Sequence, residues 1–169
     1  MRMARAPIPS LDLLEGFEAA ARHLSFTKAG EELFARNIRM LRLELNAWVA
    51  HVERREESSV ALMREAAELE VSTPKHAVTP GPTLPAHELL GDLLMEQKRP
   101  AEALAAYKRS LELYPRRFNG LLGAARAARA FGDDASARVF YRKLLEVADG
   151  GTRQPALDEA KTYTTEETS

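Results

Sequence analysis

The side chains with the greatest chemical potential in this chain are four histidines and two pairs of adjacent acids. The histidines, at positions 23, 51, 76 and 87, share no ligand spacing with one another or with a cluster of carboxylates, as a metal site would require. Glu56-Glu57 and Asp133-Asp134 fall at predicted turns between helices, where acids cap helices and favour the N-terminal dipole. We therefore interpret the acids as structural and the histidines as packing or surface residues, and we expect no metal site.

Motifs that would carry catalysis or hold a cofactor are missing from the sequence. The chain has no cysteine, which excludes a thiolate nucleophile, thiolate metal ligands and disulfides. It contains no phosphate-cradling glycine loop, dinucleotide fingerprint or nucleophile elbow. The sequence thus predicts a protein that is not an enzyme and uses no cofactor.

Size and charge bound the class of protein. A chain of 169 residues suits one domain, or one domain with an appendage. The net charge is −1 and no segment is a basic block, so no overall field attracts nucleic acid or membranes. The sequence shows neither an apolar run long enough to span a membrane nor a signal peptide, and we expect a cytoplasmic protein.

The composition favours an all-α fold. Alanine, leucine, glutamate and arginine dominate, whereas β-branched residues are sparse, a balance that suits helices better than strands. Glycines and prolines occur at intervals of helical length, as they do where helices begin and end.

A repeat of 34 residues organises the second half of the chain. Residues 84–117 and 118–151 align without a gap, which is typical of helical-hairpin repeats. The small residue Gly91 aligns with Ala125, Ala103 with Ala137, and Tyr107 with Tyr141. Small residues let two helices approach to about 8 Å, and a tyrosine fills the gap between hairpins. Each unit is therefore predicted to be a pair of packed helices.

The turns of these two units agree with the hairpin prediction. Pro100 lies where a second helix would begin, and a first-turn proline costs no hydrogen bond. In the next unit Gly132-Asp133 takes that place, with Asp133 able to cap the new helix. Pro115 and Gly150-Gly151 are expected to close the two second helices.

A weaker third unit precedes them at residues 40–73. Here Ala47 and Ser59 take the small positions and Met63 takes the tyrosine position. Residues 74–83, with three prolines and one glycine, are predicted to form a loop before the next unit.

Residues 84–117 resemble a tetratricopeptide repeat (TPR). The family's signature positions are occupied by Leu90, Gly91, Leu94, Ala103, Tyr107, Ser110 and Pro115. The chain departs from the pattern at His87, where tryptophan is frequent, and at Asp149, where the closing proline would lie. The resemblance implies a TPR-like α-solenoid of two clear and one degenerate hairpin over residues 40–151. Residues 152–169 are expected to form a short capping helix and, from Thr164, a disordered tail.

The N-terminal segment, residues 1–39, has a different character. An apolar stripe beginning at Leu11 and a second one ending at Phe34, with a break at Ser25–Thr27, predict two short helices before the repeats. Residues 11–34 resemble the start of the helix-turn-helix of LysR-type transcriptional regulators. The turn and the start of the recognition helix, expected between Phe34 and Ala35, are missing. The segment is therefore either a DNA-binding head or a fragment whose helices cover the open end of the repeat stack, unless it lacks fixed structure.

The TPR resemblance also implies a binding site, because the first helix of each hairpin in that family lines a concave groove. The candidate groove residues in the two clear units are Glu88, Asp92, Glu96, Asn119, Leu122, Arg126 and Arg129. In the degenerate unit they are Glu44, Trp48 and His51. The family's lysine and asparagine clamp for terminal carboxylates is absent from these places. The charges either contact a ligand or form only a solvated face, and Trp48 either packs inside or anchors a partner.

Two functions remain open from the sequence. The first is a non-catalytic scaffold that holds a protein or peptide partner in the concave groove. The alternative is a DNA-binding transcriptional regulator that uses the LysR-like segment, with salt-dependent binding influenced by Arg36 and Arg39.

Overall fold

The computed structural model describes residues 26–73, 84–148 and 155–165, and these residues form seven α-helices and no strand. The helices are α1 (Phe26–Val52), α2 (Glu56–Ser72), α3 (Ala86–Glu96), α4 (Pro100–Leu113), α5 (Phe118–Phe131), α6 (Asp134–Val147) and α7 (Pro155–Thr165). None of these helices combines the length and the apolar character needed to cross a membrane.

The helices pair as three antiparallel hairpins in chain order, α1 with α2, α3 with α4, and α5 with α6. The second helix of each hairpin also packs against the next helix along the chain, so that α2 contacts α3, α4 contacts α5, and α6 contacts α7. Neighbouring hairpins thus bury apolar surface between them, as in an α-solenoid. The predicted all-α, TPR-like stack is confirmed.

The core of the stack is built from small residues around Tyr107. Ala103 and Ala137 are fully buried, as their predicted packing positions require. The ring of Tyr107 lies against Gly91 within its own hairpin and against Gly123 in the next one. A Cβ added to Gly91 would lie 2.6 Å from Tyr107 Cε1, and one added to Gly123 would collide with the same ring. Tyr107 therefore joins two hairpins at a place where only glycine leaves room.

The degenerate first unit forms the same kind of hairpin. Ala47, Ser59 and Met63 are all fully buried, in the places that the repeat assigned to them. The Ser59 hydroxyl donates to the Glu56 carbonyl at 2.6 Å and accepts from Gln97 Nε2 at 2.8 Å. Because its hydroxyl is satisfied, serine can replace alanine at this packing position.

The turn inside each hairpin is the same in all three units. Arg54, Lys98 and Gly132 adopt left-handed backbone conformations, with φ of 62°, 57° and 88°. In each case the following residue donates to a carbonyl five residues earlier, for example Arg99 N to Leu94 O at 2.9 Å. This bond is the one that closes a Schellman motif at a helix end. Asp133 then caps α6 by accepting from Ser136 N at 3.0 Å, as predicted.

Helix α1 corrects one expectation about the N-terminal segment. Two short helices were predicted before residue 40, but the second is not separate, because α1 runs without interruption from Phe26 to Val52. No proline lies in this stretch and no glycine follows Gly30, so nothing stops the helix. Gly30 is exposed with open space around it, a setting in which a helix tolerates glycine. The first predicted helix, within residues 11–24, lies outside the described residues.

The C-terminal helix extends slightly further than the sequence indicated. Helix α7 continues to Thr165, so Thr164, where a disordered tail was expected to begin, is helical and donates to the Ala160 carbonyl at 2.9 Å. The remainder of that tail, the predicted loop at 74–83 and the glycine pair at 150–151 lie outside the described residues.

Candidate protein-binding groove

The first helices of the three hairpins expose the same positions of the repeat. The spacing of 44 residues between the first two units and 34 between the next two makes Trp48, Asp92 and Arg126 equivalent. All three are solvent-accessible to some degree, whereas the opposite faces of α3 and α5 are buried. We call this set the groove face. It consists of Leu41, Leu45, Trp48 and Val52 on α1, Leu89, Asp92 and Glu96 on α3, and Asn119, Arg126 and Ala130 on α5.

The α3 part of the groove face is acidic. Asp92 and Glu96 are exposed, and the Tyr107 hydroxyl donates to Asp92 Oδ1 at 2.6 Å. Surrounding protein displaces part of the hydration of the Asp92 carboxyl, which raises its pKa. The nearby charges of Glu88 and Glu96 add to this increase, while the Tyr107 hydrogen bond opposes it. Tyr107 thus holds in place an accessible carboxylate beside a second one.

Glu88, the third acid predicted for the groove, lies beneath this face. It is only 2% exposed, and its carboxylate accepts from Arg117 Nε at 3.0 Å and from Arg117 Nη2 at 3.2 Å. Because Arg117 directly precedes α5, the pair connects the start of the third hairpin to the second. The pKa of Arg117 is raised by this hydrogen bond. A buried carboxylate with a two-point partner is a structural element in this position.

The α5 part of the groove face carries the predicted polar and basic residues. Asn119 is exposed, and Leu122 is half-buried against the cluster around Leu121 and Tyr141. Arg126 donates from Nη2 to Glu159 Oε2 at 2.6 Å and from Nε to the same oxygen at 3.1 Å.

Arg129, the other basic residue predicted here, is drawn to the same acid. It lies 3.8 Å from Glu159 Oε1, and its guanidinium stands 5.9 Å from the centre of the Tyr163 ring. Both arginines are therefore already engaged by α7.

Sequence reasoning missed the role of Glu159. The sequence predicts only a short capping helix within residues 152–169, whereas Glu159 accepts hydrogen bonds from both Arg126 and the Tyr141 hydroxyl. These hydrogen bonds, the one from Arg126 foremost, lower the pKa of Glu159. The signal that could have revealed it is the start of α7, Pro155-Ala156, which matches Pro85-Ala86 at the start of α3. This match indicates that α7 is the first helix of a further repeat unit. The acids of such a helix would face the preceding unit.

The degenerate unit, at the N-terminal end of the stack, contributes one buried acid and one aromatic residue. Glu44 is 8% exposed, and its Oε1 has no hydrogen-bond partner among the described residues. Burial, reinforced by the charge of Glu70, raises the pKa of Glu44 to about 7. Trp48 is half-buried, packs against the core and meets His51 edge-to-face at 5.9 Å. Its remaining surface is part of the groove face.

The arginines considered for DNA binding lie on α1. Arg36 Nη2 lies 3.1 Å from Glu32, and Arg39 Nη2 lies 2.8 Å from Glu65 on α2. A helix-turn-helix needs a turn between two helices, and no turn interrupts residues 26–52. Among the described residues, moreover, no group of three or more histidines and acids is arranged to hold a metal ion.

These features define an α-solenoid of helical hairpins with an accessible face along its first helices. Residues 85–117 match the family model of the tetratricopeptide repeat. The structure is also similar to a solved TPR-like protein from Chlorobium tepidum, with a TM-score of 0.55 and 16% sequence identity, covering 81% of this chain and 99% of that one. At this identity the similarity shows the fold alone. No curated protein matches the sequence. The chain thus contains a tetratricopeptide repeat within a TPR-like fold, an architecture that generally serves protein–protein interaction.

Proposed function

We propose that this protein is a non-catalytic scaffold that binds a protein or peptide partner on the groove face of α1, α3 and α5. One observation carries the proposal: three successive first helices expose equivalent positions, and those positions change from apolar on α1 to acidic on α3. An accessible, chemically graded face on a repeat scaffold is what a binding surface requires.

The side chains of this face divide by accessibility into those that support the fold and those that a partner can contact. Glu88 is buried and paired with Arg117, so we assign it to the fold. Asp92, Glu96 and Asn119 are exposed and are proposed to contact the partner directly, with Leu122 supporting them from a half-buried position. Removing an exposed groove residue is therefore expected to weaken binding without unfolding the protein.

The α5 end of the groove is proposed to contribute less to affinity than its charge suggests. Arg126 and Arg129 share Glu159, so a partner's carboxylate would have to compete with an existing ion pair. The groove-face residues of α1 are apolar and those of α3 are acidic, and neither set forms an ion pair with α7. We therefore expect the partner to be recognised mainly by the first two hairpins.

Site-specific photo-cross-linking in the native host tests this function. A benzoylphenylalanine at Leu45 or Asn119, both exposed on the groove face, should form a covalent adduct with a partner that mass spectrometry identifies. The same group at Val139, which is 43% exposed on α6, serves as the matched control outside the groove. Adducts from the groove positions alone would support the proposal. Adducts from Val139 alone, or from no position, would refute it.

A further inference from the structure

Helix α1 exposes a continuous stripe of large apolar side chains. Five of its members are between 49% and 78% exposed, and the sixth, Trp48, is half-buried. The members of this α1 stripe are Phe34, Ile38, Leu41, Leu45, Trp48 and Val52. Successive members are alternately four and three residues apart, which is the heptad spacing of a coiled-coil seam. From Phe34 to Val52 the stripe is about 27 Å long, enough to accept another helix along its length.

The α1 stripe is not the surface against which a preceding hairpin would pack. In α3 and α5 that surface is formed by Ala86 and Leu90, and by Gly120 and Ala124, all of which are buried. The equivalent residues of α1 are Arg42 and Asn46, and both are exposed. A charged and an amide side chain at these places suit contact with water. The α1 stripe, by contrast, is turned toward the groove face.

An acidic row runs beside the α1 stripe on the neighbouring first helix. Asp92 and Glu96 are one helical turn apart on α3 and are exposed, and α3 contacts α1 directly. A helix that lies along α1 would therefore present one flank to these carboxylates. Basic side chains on that flank would meet the two negative charges of Asp92 and Glu96, which form no ion pair with a cation of α5 or α7.

We propose that the groove binds an amphipathic α-helix that places a heptad row of apolar residues on the α1 stripe and lysine or arginine residues opposite Asp92 and Glu96. The proposal rests on the proposed function and names the chemistry of its partner. Apolar contact supplies the affinity, as in other helix-in-groove complexes, and the acidic row sets the orientation and the preference for a basic flank.

A second copy of the chain fits this surface less well. The α1 stripe is centred between Leu41 and Leu45, so two antiparallel copies of α1 would bring their Arg42 side chains together near the two-fold axis. Like charges at such a position oppose association. A partner with basic residues facing α3 instead gains a favourable interaction.

Two synthetic peptides test the proposal with the full-length protein. Each is a three-heptad helix without tryptophan, with leucine at the a and d positions; one carries lysine along one flank and the other carries glutamate there. Affinity is measured by fluorescence anisotropy of labelled peptide, and contact is followed through the emission of Trp48, the single tryptophan of the chain. We expect the lysine peptide to bind about tenfold tighter than the glutamate peptide at low salt, and to blue-shift the Trp48 emission. The difference should shrink at high salt because screening weakens the ionic contribution.

Two variants and one control separate the apolar from the ionic contribution. Leu45→Asp should weaken binding of both peptides by about tenfold or more, since a charge replaces an apolar contact. Glu96→Lys should abolish the preference for the lysine peptide, because the new positive charge offsets the remaining negative charge of Asp92. Val139→Asp, an exposed apolar residue outside the groove, should leave both affinities unchanged. Circular dichroism confirms that each variant keeps the helical content of the original protein.

Several results would overturn the proposal. Equal affinity for the two peptides, or binding by a folded Leu45→Asp variant as tight as that of the original, would exclude this mode of recognition. A dimer in sedimentation that Leu45→Asp dissociates would show that a second copy occupies the α1 stripe. If cross-links from the groove face identify a partner segment without a basic amphipathic helix, this inference fails while the scaffold function stands. If the groove face yields no cross-link at all, the proposed function itself fails.

Discussion

The ring of Tyr107 on α4 lies directly against the backbone of Gly123 on α5, and this contact joins the second hairpin to the third. Beyond this contact, the tyrosine hydroxyl donates a hydrogen bond to Asp92 on the groove face. A single side chain therefore sets both the spacing of two hairpins and the position of an exposed carboxylate. Packing and the candidate binding surface are coupled through this residue.

Gly123→Ala should destabilise the protein by about 1–3 kcal/mol, because the added methyl group would collide with the Tyr107 ring and overpack the interface. Gly91→Ala should behave similarly, since its Cβ would lie 2.6 Å from the same ring. Chemical denaturation measures both effects. The control is Gly30→Ala, at a helical position with no atom within 4 Å, which should stabilise α1 by about 0.5–1 kcal/mol. Equal effects at Gly123 and Gly30 would show that the contact with Tyr107 is unimportant.

Lys98→Gly should stabilise the protein by about 0.5–1 kcal/mol. Lys98 holds φ at 57°, a region that glycine adopts without the Cβ penalty of other residues. Gly132→Ala, at the equivalent turn with φ of 88°, should destabilise by a similar amount. Thermal unfolding of the two variants provides the comparison. A loss of stability in Lys98→Gly would mean that the side chain contributes more than the backbone strain costs.

The contribution of Glu44 to the stability of the protein should become unfavourable between pH 5 and pH 8. Its pKa is about 7 in the folded chain and 4.5 as a free side chain, so in this window the folded state keeps a proton that the unfolded state has released. Ionising the buried carboxyl beside Glu70 then costs free energy on the order of 2 kcal/mol by pH 8.

The variant Glu44→Gln isolates this contribution. It should gain stability relative to the original protein at pH 8 and show a much smaller gain at pH 5. The pKa of His87 is lowered chiefly by burial, so its contribution to stability has the opposite pH dependence. Because His87 is present in both the original protein and the variant, this contribution cancels in the difference between their stabilities. Denaturation curves across the pH range give the measurement, and a difference that does not change with pH would contradict the assignment.

Glu159→Gln should loosen α7 by about 1 kcal/mol, because the charge-assisted bonds from Arg126 are lost at a partly exposed site. Hydrogen exchange of the α7 amides should accelerate while that of α3 stays unchanged. Glu112→Gln is a matched control, since Glu112 pairs with Arg109 at 2.6 Å in a more exposed setting and should have little effect. Unaltered protection of α7 in Glu159→Gln would show that apolar contacts alone hold this helix.

The periodic features of the fold could be predicted from the sequence. Small residues, tyrosines and turn residues recur every 34 positions, and each reports a local requirement for close approach or a helix end. For the same reason Ser59 and Met63 could be placed in the core of the degenerate unit, even though neither matches the repeat pattern.

The candidate site was predicted less completely, because the position of a residue along its helix does not determine which side chain of a neighbouring helix contacts it. The register placed Glu88 and Asp92 on the same face, yet one is buried against Arg117 and the other is exposed. The partners Arg117 and Glu159 come from neighbouring units, at distances in the sequence of 29 and 33 residues from the groove residues they bind.

The sequence by itself determined the class of fold and the small and aromatic residues that pack within and between the hairpins, since these follow from local periodicity and side-chain size. Only the tertiary structure decided which groove charges are accessible, that α1 is one continuous helix with an exposed apolar stripe, and that Glu44 titrates near neutral pH. Those properties depend on burial and on contacts between helices that are distant in the sequence, and such contacts exist only after the hairpins have stacked.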